Sequence, residues 1–114
     1  MNYDIRLMIS IYGTEEYDWL GDKINDVTKL TKHHIIKKEF GGENGVSNYA
    51  LLTPKSHKLM HILEEKDPEL FDEFNQKFLE LNRSLKPPTK EYYRSIDSLL
   101  RKNKKLTQSK GKKK

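Results

Sequence analysis

The chain of 114 residues contains no cysteine, which excludes a disulfide framework and every zinc site built on thiolates. Any metal ion must be held by His, Asp, Glu or Asn. Apolar material is also sparse, at 34% of residues with a mean hydropathy of -0.90, so a single domain with a modest core is expected. Long hydrophobic runs are missing too. The longest, Leu7 to Tyr12, is broken by Ser10 and falls far short of the roughly 20 residues that a membrane span requires. With neither a span nor a signal segment visible, the expectation is a cytoplasmic protein with no membrane partner.

Charge is present but unevenly placed. From Lys86 to Lys114 there are 11 basic and 2 acidic residues, so this quarter of the chain carries +9 of a total of +5, and residues 1–85 carry -4. A lysine-rich segment of this kind suits a polyanion, because each phosphate it contacts releases condensed counterions. It also suits a solvated tail that keeps a small protein in solution.

Residues 1–12 fit a helix face through Ile5, Met8, Ile9 and Tyr12 and a strand through Ile5, Leu7, Ile9 and Ile11; the helix is favoured. Thr14 as N-cap, with Glu15 and Glu16 in the first turn, predicts a short helix to about Asn25. Thr28 to Glu39 and Val46 to Leu52 read as extended segments joined by the glycine-rich turn Gly41–Gly45, which makes a hairpin. Thr53-Pro54 and Asp67-Pro68 each place a capping residue before proline at the first helical position. The second of these opens a helix whose stripe of Leu70, Phe71, Phe74, Phe78, Leu81 and Leu85 is core. After Pro87-Pro88, Thr89 caps a last helix with Tyr92, Tyr93, Ile96, Leu99 and Leu100 on one side. No second domain is expected: residues 1–105 form one domain, and 106–114 a basic disordered tail.

The four histidines all fall between Lys32 and His61, as an adjacent pair, His33-His34, and a pair four apart, His57 and His61. Four apart on a helix, two imidazoles share one face and form a natural clamp for a divalent ion. No glutamate follows His57 directly, so the zinc-protease pattern is absent. Neighbours on an extended segment point to opposite sides, so His33 and His34 are expected to do different work. One completes the metal site, and the other, titrating near neutrality, accepts a proton from an attacking water.

The words His33-His34-Ile35, Gly41-Gly42, Ser47-Asn48 followed by Leu51-Leu52, and Thr53-Pro54-Lys55-Ser56-His57-Lys58-Leu59-Met60-His61 occur in one order. Lys32 to His61 thereby resembles the HNH nuclease family with its ββα-metal (His-Me finger) fold. The last word looks especially like the colicin-type DNase branch, whose helix also opens with Thr-Pro-Lys and carries two histidines four apart. The resemblance covers about a quarter of the chain. It implies an α+β fold with a ββα-metal centre spanning residues 30–65 and flanking helices. It also implies metal-dependent hydrolysis of DNA phosphodiester bonds.

By position, the resemblance makes His33, His57 and His61 ligands of one divalent cation and His34 the general base that activates water. In some branches of the family one of the two helix positions is a proton donor or phosphate contact instead. Asn48 would hold the loop that carries His34. A histidine-rich ligand set favours Zn²⁺, Ni²⁺, Co²⁺ or Mn²⁺ in binding strength, with Mg²⁺ also a candidate cofactor. Lys29, Lys32, Lys55, Arg101, Lys102, Lys104 and Lys105 are the candidate contacts to DNA phosphates.

Two features depart from the colicin-type pattern. No arginine or acid stands just ahead of His33, where the residues are Val27, Thr28, Lys29, Leu30, Thr31 and Lys32; Lys29 or Lys32 is the substitute phosphate contact. About fifty residues also follow His61, where the toxin domains end. The expectation is a stand-alone enzyme whose last helices and tail grip DNA. The reading from another class is a non-catalytic nucleic-acid-binding module with a structural zinc held by the histidines. An RNase is a third.

Overall fold

In the computed structural model, which describes the backbone of residues 2–112 and the side chains of residues 2–103, the chain opens on a capped helix. The Asn2 side chain accepts from the backbone N–H groups of Asp4 and Ile5, and α1 (Tyr3–Tyr12) ends where Gly13 turns left-handed at φ 60°. Ile5, Met8 and Tyr12 are buried, so the helical period prevails over the strand period in this ambiguous segment.

The helix expected from Thr14 to Asn25 does not form. Residues 14–25 make an irregular loop with one isolated bridge, Tyr17 to Lys23. Thr14 is not an N-cap: it is buried, and its hydroxyl accepts from Trp19 Nε1 at 3.1 Å. The organising group is Asp18, fully buried, whose Oδ1 accepts from the N–H groups of Leu20 and Asp22 at 2.8 Å each. Its Oδ2 accepts from Thr53 N at 2.9 Å and Thr53 Oγ1 at 3.1 Å. One carboxyl group thus satisfies loop backbone that a helix would have paired internally, and ties the loop to a distant helix start.

The hairpin is shorter than its two extended patterns. β1 (Thr31–His34) and β2 (Tyr49–Leu52) pair antiparallel in the register Thr31 to Leu52 and His34 to Tyr49. The flanks that were expected to be extended are 3₁₀ turns at Val27–Lys29, Lys38–Phe40 and Val46–Asn48. All four residues of β2 are buried, which accounts for its unbroken apolar character.

Both cap-plus-proline signals open helices. Thr53 Oγ1 accepts from Ser56 N at the start of α2 (Pro54–Lys66), and Asp67 accepts from Leu70 N at the start of α3 (Pro68–Ser84). Leu70, Phe74, Phe78 and Leu81 of the α3 stripe are buried and Phe71 half-buried. Leu85 departs from it: at φ 55° it terminates α3 in the left-handed region and is 68% exposed. Thr89 caps α4 (Lys90–Lys112) by accepting from Tyr92 N, with Ile96 and Leu99 buried. Tyr92 and Tyr93 donate their hydroxyls to the carbonyls of Trp19 and Asp18, at 2.6 and 3.2 Å. Burial pushes the Tyr92 hydroxyl well up and that of Tyr93 up to about 12, so both remain donors. Helical backbone continues to Lys112, while the side chains of the expected tail, 106–114, lie outside the described residues.

The result is an α+β architecture, mostly helical, with a two-stranded hairpin packed against four helices. In chain order the hairpin is followed directly by α2. No helix among the described residues is long and apolar enough to cross a membrane. Asp18→Ala removes an acceptor shared by three backbone N–H groups and a hydroxyl, and should destabilise the fold by about 3 kcal/mol or more. Urea unfolding of the variant beside the parent chain measures this.

Candidate histidine site at the hairpin

Strand alternation sends Thr31 and His33 to one face of the hairpin, toward α2 and α3, and Lys32 and His34 to the other. His33 is 6% exposed; its ring lies edge-on to Phe71, Phe78 and His57, and its Nε2 is 2.8 Å from Asn75 Oδ1 on α3. His57 is half-buried one face across, its ring centroid 5.7 Å from that of His33 and its Nδ1 2.8 Å from Thr31 Oγ1. One turn further along α2, His61 stacks on His57 with centroids 4.8 Å apart and planes inclined by 16°. The His61 side chain is 68% exposed, with Nδ1 4.0 Å from Glu64.

His34 ends the strand. Its ring stands edge-on to Tyr49 at 5.2 Å, and its Nε2 is 2.8 Å from Asn44 Oδ1 in the turn. Lys32 shares this face, with Nζ 5.0 Å from the centre of the same Tyr49 ring. Asn48 fixes the chain just beyond His34: its Oδ1 accepts from Ile36 N, and its Nδ2 donates to the carbonyls of Ile36 and Glu43. Gly42 is packed under this clamp, where a Cβ would fall 1.8 Å from Ile36 O and 2.9 Å from Asn48 Nδ2. No side chain larger than hydrogen fits there.

Electrostatics link the four rings. Burial holds His33 down to about 4, and the Asn75 hydrogen bond only partly opposes it; His57, His61 and His34 lower it further. Burial also lowers His57, followed by the charges of His61 and His34. Both rings are therefore neutral at physiological pH, the form that ligates metals. Among the described residues, however, no group of three or more His, Asp or Glu side chains is arranged to hold a metal ion. His33, His57 and His61 stand side by side in a row, joined pairwise rather than drawn around one point.

The expected phosphate contacts divide. Lys29 is exposed in the 3₁₀ turn before β1, and Lys32 stands beside His34. Lys55 lies 3.9 Å from Asp22, Arg101 pairs with Asp97 at 2.7 Å, and Lys102 with Glu73 at 3.2 Å, so these three carry acidic neighbours. The side chains of Lys104 and Lys105 lie outside the described residues. Lys37 sits near the clamp but is paired with Glu64 and Glu39.

Three residues that contact the histidines, Thr31, Asn44 and Asn75, escape sequence reasoning. Asn75 leaves a signal: it and Asn82 are seven apart on α3, two buried asparagines set beside phenylalanine and leucine of the core stripe. A polar residue there must find a partner. Thr31 and Asn44 leave none, since threonine in a strand and asparagine in a turn are ordinary.

The buried His33 makes stability depend on pH. The unfolded chain takes up a proton near the ordinary value of 6.5, and the folded chain does not until about 4. The stabilisation is complete above the first value and is lost as pH falls toward the second, at about 1.4 kcal/mol per pH unit and about 3 kcal/mol in all. Urea unfolding between about pH 7 and 4 should show this loss, and His33→Gln should flatten the profile by that amount.

No protein-family model, no curated protein and no solved structure matches the chain.

Proposed function

We propose that the protein is a metal-dependent endonuclease of the HNH type that hydrolyses DNA phosphodiester bonds. The observation that carries this reading is the Asn48 clamp: the Asn48 carboxamide bonds both backbone groups of Ile36, two residues past His34. It accompanies a strand, strand, helix order in which the second histidine pair rides on the helix against the first. Together these are the parts of the sequence resemblance, set in one small region of the fold.

In this reading His34 is the general base. With Nε2 held at Asn44 Oδ1, Nδ1 is the nitrogen that takes the proton as water attacks phosphorus and the bond to the leaving oxygen breaks. Lys32, on the same face, steers and neutralises the phosphate. His33, His57 and His61 would hold the divalent cation. The donor set fits in chemistry, two of its rings being kept neutral by burial, although the three are not gathered about one point. Such a cation offsets phosphate charge and stabilises the leaving oxyanion. The excess of basic residues from Lys86 to Lys114 would supply sequence-independent affinity for the duplex.

Supercoiled plasmid incubated with the protein and Mg²⁺, Mn²⁺, Co²⁺, Ni²⁺ or Zn²⁺ in turn should be nicked with at least one metal, and chelator should abolish nicking. His34→Ala should lower the rate by about 10²–10⁴-fold while DNA binding and folding persist. Retardation of DNA on a gel without nicking in any metal would remove the enzyme reading and leave the binding module.

A further inference from the structure

We propose that the groove between α2 and α4 is a docking site for an amphipathic helix of a partner protein, apolar along one stripe and acidic along its edges. Two adjoining hollows form the groove. One, of about 480 Å³, is lined by Leu59 and Ile62 of α2 and Leu100 of α4. The other, of about 540 Å³, follows α4 past Ile96 and Tyr93 to Tyr17 in the loop. They share Leu20, Gly21 and Leu100, which makes them one surface. On α2, Lys55, Leu59 and Ile62 recur at helical spacing on a face that does not carry His57 or His61, and neither histidine lines the groove. The site is therefore separate from the histidine row and does not rest on the nuclease reading.

Shape and charge together specify the occupant. α2 and α4 both pack against α3 and stand on either side of the groove, a slot of the kind that a further helix fills. Ile62 is 45% and Tyr17 44% exposed, with Leu59 and Leu100 half-buried between them. Apolar side chains exposed singly are ordinary, but gathered along a groove with a polar rim they mark an interaction surface. The rim here is basic. Lys58 on α2 and Lys90 and Arg94 on α4 are exposed, and none has an acidic partner among the described residues. The two carboxylates that line the groove, Asp22 and Asp97, already face Lys55 at 3.9 Å and Arg101 at 2.7 Å. A helix with acidic edges complements the remaining cations while its apolar stripe covers the floor.

Other occupants meet only half of these requirements. Nucleic acid would satisfy the cations and leave the aliphatic floor without a partner. A second copy of the chain offers no suitable helix among the described residues, because the apolar stripes of α1 and α3 are buried in their own core and α4 is itself basic.

The probe is a labelled synthetic peptide of about 18 residues, with leucine at alternating three- and four-residue intervals and glutamate on both flanks. Fluorescence anisotropy with the full chain should show saturable binding, and methyl ¹H–¹³C spectra should shift at Leu20, Leu59, Ile62 and Leu100. A peptide of the same composition with its leucines scrambled off the stripe should not bind, nor should one with lysine in place of glutamate. Ile62→Asp, Lys58→Glu and Arg94→Glu alter exposed side chains, and each should weaken binding by about 10-fold or more with the circular dichroism spectrum unchanged. Equal affinity for the scrambled peptide, unchanged affinity in the three variants, or shifts confined to the basic C-terminal segment would overturn the proposal. Groove methyls that answer instead to a DNA oligonucleotide, or to a rise in the concentration of the protein alone, assign the surface to nucleic acid or to a second copy and overturn it as well.

Discussion

A hairpin with four residues in each strand cannot hold itself together in water. Its survival here depends on α3, which grips it through two buried asparagines as well as an apolar stripe. Asn82 donates its amide to the carbonyls of Val46 and Tyr49 at the entry to β2, and Asn75 meets His33 on β1. Seven residues apart, the two side chains lie on one face of α3 and reach both strands. Phe74 and Phe78 fill the space between and beside them, so the polar contacts are shielded from water. The hydroxyl of Tyr12 closes the arrangement by donating to Asn82 O, which brings α1 into the same unit.

A second buried anchor works from the opposite side. Asp18 binds the backbone of its own loop and the cap residue of α2, and Asp22 accepts from the same Thr53 hydroxyl. Since α2 carries His57 and His61, the loop at 14–25 sets where the helix begins and hence the rotation at which its histidines face β1. The two anchors fix the two histidine pairs from independent elements. With only 34% hydrophobic residues, the chain relies on such buried polar bonds to specify one arrangement where area alone would leave several.

The parts of this structure that local chemistry decides could be read from the sequence. Thr53-Pro54 and Asp67-Pro68 open helices where expected, because a cap and a proline act within one turn. The alternation of His33 and His34 likewise follows from strand geometry alone. The loop at 14–25 could not be read, since Thr14, Glu15 and Glu16 make a convincing helix start until Asp18 finds Thr53, 35 residues away. Asn75 was hidden for a similar reason: its partner lies 42 residues earlier, and periodicity sorts apolar faces without saying what a polar neighbour will touch. The histidines whose spacing suggested a metal centre lie as a row of adjoining rings, and not as a gathered set.

Asn48 closes the span from Ile36, 12 residues earlier, by receiving one bond and returning another to the same residue. That is how a peptide group pairs in a sheet. The carboxamide behaves as a detached piece of backbone, and extends the ladder to Ile36, one residue past the last main-chain bond, from Ile35 N to Asn48 O. An aspartate in its place would have no donor, a leucine neither donor nor acceptor, and a glutamine would overreach by a methylene. The requirement at this position is for a side chain that can impersonate a strand.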